Sequence, residues 1–196
     1  MTTPILAARG LSKSFGPNEV LKGIEFEVRA GANIALCGEN GAGKSTLIKL
    51  MTGIYDPTAG HIEVDGAHAA FDGPKDAIAA GIAVVHQEFS TLSALTVAEN
   101  IFLEKEPLNR LGLIDRTRLN ADAAKLLADL GIDLDPRATL DRLSVAEIQM
   151  VEIAKALRTE ARVLILDEPT DGLDPNQKFE VRKLITTMAA RKTIVI

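Results

Sequence analysis

Apolar residues recur along the chain in two rhythms, and the change of rhythm divides it. Up to residue 87 short apolar runs alternate with turns: P-I-L-A-A-R-G-L, then V-L-K-G-I-E-F-E-V with alternating character from Ile24, then N-I-A-L-C after Ala30-Gly31. These predict strands. T-L-I-K-L-M keeps Leu47, Ile48 and Met51 on one side, so a helix is predicted from Lys44 to near Gly53. H-I-E-V-D-G predicts a strand and turn, residues Asp76 to Ala80 a short helix, and I-A-V-V a buried strand. From Glu88 the rhythm becomes helical. Thr96 with Glu99 forms a capping box before V-A-E-N-I-F-L, and Arg116 to Leu130 carries Leu119, Ala123, Leu126, Leu127 and Leu130 at helical spacing before Gly131. In L-S-V-A-E-I-Q-M, Ser144 and Glu147 repeat the capping box ahead of another apolar-periodic run. V-L-I-L returns to strand character, a helix follows Pro175, and K-T-I-V-I begins a last strand. The order predicts an α/β sheet buried on both faces, formed by 1–87 and 159–196 and interrupted by a helical insertion at 88–158.

Candidate chemistry sits at two strand ends. G-E-N-G-A-G-K-S fits the P-loop pattern in the context that pattern needs, between a strand and a helix. Gly38, Glu39, Asn40, Gly41, Ala42 and Gly43 would wrap their backbone N–H groups around phosphates, joined by Thr46 in the first helical turn. Lys44 would reach the β and γ phosphates, and Ser45 would offer its hydroxyl to Mg²⁺. The duller alternative is an ordinary glycine-rich turn. V-L-I-L-D-E delivers two carboxylates at a strand's carboxyl end, where ligands bind in open α/β sheets. Asp167 would hold Mg²⁺ through a water, and Glu168 would polarise the water that attacks the γ-phosphate. Alone, such an acidic pair reads as a solvated loop; beside a P-loop it reads as catalytic.

With L-S-V-A-E upstream of the second element, the whole chain resembles the nucleotide-binding subunits of ABC transporters. The resemblance implies a P-loop NTPase core of ABC ATPase type, with an N-terminal antiparallel β region and the helical insertion as a subdomain. It implies that Ser144, Val145, Ala146 and Glu147 are the signature facing the ATP of a partner cassette. Gln87 in V-V-H-Q-E matches the family's glutamine loop, with a catalytic and Mg²⁺-binding role, and Phe15 the aromatic that stacks on adenine. Asp174, ending D-E-P-T-D-G-L-D, matches a loop that crosses between paired cassettes, although Asp171-Gly172 stands where Ser-Ala is usual. The signature departs too: Val145 and Ala146 replace glycines, and Glu147 replaces glutamine. A carboxylate there either turns back onto the backbone of Ser144 or faces the phosphate, and the first is expected.

The wording V-V-H-Q-E, L-T-V-A-E-N-I-F-L and L-S-V-A-E-I-Q-M-V-E-I-A-K-A-L is similar to bacterial monosaccharide importers. That implies ATP and Mg²⁺, a second cassette fused or separate, transmembrane permease subunits, and indirectly a sugar-binding protein. It also implies a cytoplasmic site on the inner face of the bacterial cell membrane, and a switch histidine just beyond the final I-V-I. Weak or absent hydrolysis is expected of the chain as it stands. The rivals are a non-transport ABC ATPase acting on ribosomes or DNA, and a nucleotide-binding module without turnover.

Composition adjusts this picture little. A net charge of −5, from 22 basic and 27 acidic residues, argues against a partner bound by phosphate neutralisation, so no nucleic acid is expected. The single cysteine, Cys37, is expected in the core. No basic-then-apolar leader and no apolar run near the about 20 residues of a membrane span is visible. His61, His68 and His86 read as structural or solvated, Gln87 taken alone as a loop residue, and Phe15 taken alone as a core residue.

Overall fold

Alternation near the amino terminus produces an antiparallel sheet of strands β1 (Leu6–Phe15), β2 (Asn18–Val28), β4 (Ala59–Val64) and β5 (Ala67–Ala69), in the order β2-β1-β4-β5. The computed structural model describes residues 3–39, 41–85, 91–159, 161–189 and 193–195. Leu6 opposes Val28 on one side and Val64 on the other, which sets the register. The register then shifts after Ala8 and after Arg9. There Gly60, at φ +75°, lies so close to the Arg9 and Gly10 carbonyls that any Cβ would collide with them.

A second sheet has the order β3-β8-β7-β6, with β3 at Asn33–Ile34, β6 at Ile82–Val85, β7 at Val163–Leu166 and β8 at Thr193–Val195. Its β3–β8 and β7–β8 ladders are parallel. All four residues of β7 are buried, as expected of a strand covered on both faces. Leu6, Leu11, Met51, Ile82 and Ile165 meet in one core beside helix α1 (Lys44–Met51) and helix α2 (Pro74–Ala79). The Gly81 carbonyl accepts the N–H groups of both Arg162 and Val163, at 2.8 and 3.0 Å. The Arg162 guanidinium also grips both Asp65 oxygens, at 3.1 and 2.7 Å.

Two expectations here are corrected. The run N-I-A-L-C is a strand only at Asn33–Ile34, and Cys37 is exposed rather than in the core. The short helix starts at Pro74, not Asp76, because proline's fixed φ suits the first helical position.

Helices α3 (Val97–Ile101), α4 (Arg116–Leu130) and α5 (Val145–Arg158) pack pairwise, and Ala98, Leu119 and Ala123 form a small core lined by Phe102. Helix α3 is only five residues long, so its ends must be satisfied from outside. Thr96 and Glu99 close the expected capping box, while the Val97 and Ala98 N–H groups donate to Ala138 and Pro136 at 2.9 Å each. The fully buried Asn100 side chain accepts from the Leu92 N–H at 2.8 Å and donates to the Leu92 and Thr96 carbonyls at 3.0 Å. Helix α4 keeps the bounds its periodicity predicted and ends on Gly131 at φ +69°. Between α3 and α4 a turn built on the Asn109 side chain leaves Leu108, Leu111, Leu113 and Ile114 exposed.

The chain forms two compact units: Met1–Val84, Thr159–Asp167 and Ala189–Ile196 in one, and Val85–Arg158 with Glu168–Met188 in the other. The sequence-based division keeps all of 159–196 with the core. Here most of helix α6 (Pro175–Ala189) groups with the helical insertion, sharing with α4 and α5 the walls of one cavity.

Candidate functional site

In the first unit, the P-loop leaves β3 and enters α1 through Gly43, at φ +89°. A Cβ on Gly43 would lie 2.7 Å from the Leu21 side chain, so both the backbone angle and the space demand glycine. Gly41, at φ +86°, makes the other reversal. The Lys44 ammonium donates to the Gly38 and Glu39 carbonyls, at 2.8 and 3.2 Å, and so braces the loop. Helix α1 has no side-chain cap and no acidic residue in its first turn. Among the described residues its first N–H groups thus meet no carboxylate from their own turn, and Ser45 at their head is exposed. Asn40 lies outside the described residues.

Asp167 follows β7 directly and is half-buried. Because β3 and β7 run parallel with β8 between them, the P-loop and Asp167 emerge at the same edge of the sheet, two strand spacings or about 10 Å apart. That edge gathers backbone donors, a lysine, a hydroxyl and a carboxylate, a set suited to a polyphosphate with a hard divalent cation. Phe15, expected in a core when read alone, is the last residue of β1 and is 43 % exposed. It stands edge-on to Tyr55, with ring centroids 5.2 Å apart, and the Lys13 ammonium lies 5.2 Å from its ring. Tyr55 carries no sequence signal that would single it out.

In the second unit, Glu168 is exposed and holds φ at +51° immediately before Pro169. A left-handed backbone at a residue with a side chain costs about 1–3 kcal/mol, and this one sits at the proposed base. Ser144 and Glu147 close the capping box. The Ser144 N–H and hydroxyl donate to the same Glu147 oxygen at 2.7 and 2.8 Å, and the Glu147 N–H donates to Ser144 Oγ at 3.3 Å. The carboxylate is thus turned back, as the sequence suggested. Val145 is 47 % exposed and Ala146 is buried. Asp174 has a local task that its motif assignment overlooked: its Oδ1 accepts from the Asn176 and Gln177 N–H groups at 2.9 and 3.0 Å, capping α6. D-P-N-Q carries the spacing that could have revealed it. Gln87 and His86 lie outside the described residues.

A family profile described as ABC transporter matches residues 21–171. The chain is 50 % identical over 180 residues to the ribose import ATP-binding protein RbsA 1 of Streptomyces avermitilis, covering 92 % of this chain and 34 % of that protein. It is 48 % identical over 189 residues to the ribose import ATP-binding protein RbsA of Geobacillus kaustophilus, covering 96 % and 38 % respectively. The chain therefore spans little more than a third of the length of these relatives. Among solved structures it is similar to an ATP-binding cassette of an ABC transporter in its ADP conformation, with TM-score 0.85, 25 % identity, and coverage of 99 % of this chain and 80 % of that one. It is also similar to cbiO1 from Clostridium perfringens, part of the ABC transporter complex cbiONQ, with TM-score 0.81, 28 % identity, and coverage of 98 % and 78 %. No helix among the described residues is long and apolar enough to cross a membrane.

Proposed function

Because the chain belongs to the ABC transporter family, we propose that it is an ATP-binding cassette of an importer, coupling Mg-ATP binding and hydrolysis to the entry of a monosaccharide. The observation that carries this reading is the uncapped head of α1, braced by Lys44 and opening on the edge where Asp167 emerges. The relatives' names, which specify ribose import, support the sugar.

In this reading the N–H groups of Gly41 to Thr46 bind the phosphates, and Lys44 offsets their charge. Phe15 offers its ring to adenine. Ser45 and Asp167, with Gln87, supply the hard oxygen donors that suit Mg²⁺, which when bound neutralises charge on the phosphate oxygens. Glu168 takes the proton of the attacking water. The head of α5 meets the γ-phosphate held by a second cassette, and the loop ending at Asp174 lies across that junction. Contact with the membrane runs through permease subunits on the cytoplasmic side, fed by a sugar-binding protein. The exposed leucines on the Asn109 turn support such an apolar partner.

Calorimetric titration with Mg-ATP tests the site. Lys44→Ala should weaken binding by about 100-fold, as expected when a charged phosphate contact is lost. Unchanged affinity in a folded variant overturns the reading. Purification of the native chain with ribosomes or nucleic acid, and without membrane subunits, would move it to the non-transport class.

A further inference from the structure

A helix N-terminus attracts anions because its first N–H groups lack intrahelical partners and the helix dipole is positive there. At the head of α5 an anion is already seated. One oxygen of Glu147 takes both donors of Ser144, the N–H at 2.7 Å and the hydroxyl at 2.8 Å. These are the groups that a partner's γ-phosphate would approach, and two anions cannot share them without strong repulsion. Glu147 therefore has to leave before a phosphate can arrive.

The second unit supplies somewhere to go. Glu147 also lines a cavity of about 590 Å³ between the end of α4, the start of α5 and the outer turns of α6. Asp129, Asp133 and Glu180 line it too, and Lys183 is its one cationic lining residue. Met150 forms part of its apolar wall and is 9 % exposed. A carboxylate turned off the cap and into this space finds one cation, Lys183, among three competing carboxylates. The capped position is the one observed, and the alternative within the same cavity sets attraction to Lys183 against repulsion from three carboxylates.

We propose that Glu147 is a gate on the signature end of α5: its carboxylate occupies the donors of Ser144 at rest and swings toward Lys183 when a partner-bound ATP docks. This rests on the reading that α5 meets the γ-phosphate of a second cassette. Its consequence is that pairing through this helix is held back by a side chain of the same helix. Glutamine at 147 relaxes that restraint, because an amide still caps Ser144 but carries no charge to expel.

The test uses the complete polypeptide that carries this cassette, with a non-hydrolysable ATP analogue and Mg²⁺. Closure of the cassettes is read by energy transfer between dyes on the two. Glu147→Gln should lower the half-closing concentration by about three- to thirtyfold, as expected when a screened repulsion between carboxylate and phosphate is removed while the cap is kept. Lys183→Met should raise it a few-fold (~2–5) in the native background, as loss of a partly exposed ion pair would. In the Glu147→Gln background the same change should do nothing. Closure that is insensitive to Glu147→Gln overturns the gate while leaving the paired-cassette reading standing. An equal effect of Lys183→Met in both backgrounds also overturns it, since the lysine would then act on the partner directly. Failure of every variant to close, the native included, overturns the paired-cassette reading and the gate with it.

Discussion

Helix α1 begins on Gly43 with no side-chain cap and no carboxylate in its first turn, whereas α5 begins on Ser144 with the Glu147 carboxylate drawn over its first donors. Both helix heads are assigned to phosphate, yet one stands open and the other is filled by its own residue. Helix α3 shows what the filled arrangement does when no ligand is in question. There Glu99 takes the Thr96 N–H and hydroxyl at 2.9 Å each, and the box serves to end a five-residue helix. Glycine at the head of α1 gives up the stability of a cap, and what it gains is access. Serine and glutamate at the head of α5 make the opposite choice. A head built on glycine can receive a ligand at once; one built on a capping box has to be vacated first.

Giving α1 the carboxylate of α5 should break the contrast most severely. Thr46 stands three residues after Gly43, as Glu147 stands three after Ser144. Thr46→Glu should therefore cut Mg-ATP affinity by about 100-fold or more, since like charges this close repel by several kcal/mol at an effective dielectric near 20. Calorimetry beside a circular dichroism check of folding reads the result, and intact affinity would show that the first turn of α1 lies away from the phosphates. Taking the cap from α5 is a smaller blow. Ser144→Ala should cost about 0.5–2 kcal/mol, or about 1–8 °C in melting temperature for a chain this size. A melting temperature equal to the native one would mean that the box at α5 contributes nothing to folding.

The smallest effect probes the box at α3 by pH. The Thr96 backbone N–H holds the Glu99 carboxyl below its ordinary value of 4.5; burial opposes this, while the Thr96 hydroxyl and Arg116 add to it. A depressed folded value means that the stabilisation is complete above the ordinary value and is lost as pH falls through the depressed one. The stability difference between native and Glu99→Gln chains should hold steady above about pH 5 and shrink below it. Urea midpoints across that range measure it, and a difference constant into strong acid would assign the box to hydrogen bonding alone.

What could be read in advance follows from how local each feature is. The two capping boxes and the bounds of α4 depend on residues within four positions of one another, and the structure returns them as the spacing predicted. The P-loop is local for the same reason, since Gly43 is required by its own φ of +89°, while the closeness of Leu21, 22 positions away, adds a tertiary demand on the same residue. Cys37 could not be read this way. Its apolar neighbours suggest burial, but burial depends on what packs against the segment in the fold, and the strand ends at Ile34, three residues before the exposed Cys37. That Lys183 and Glu147 line one cavity is equally hidden, since the two residues are 36 positions apart and share it only after α6 has packed. The Asp174 cap is local as well, its spacing carried by D-P-N-Q within the stretch that resembles the loop between paired cassettes.

The Gly81 carbonyl, accepting from both Arg162 and Val163, fixes the two ends of everything between them within hydrogen-bonding distance. Seen from the first unit, the intervening segment is one closed loop, and the entropy of closing a loop grows only with the logarithm of its length. Doubling such a loop costs about 0.6 kcal/mol. The anchor at Gly81 thus makes the length of the helical insertion thermodynamically cheap to vary, so that this region can grow, shrink or be exchanged while the sheet of the first unit keeps its stability.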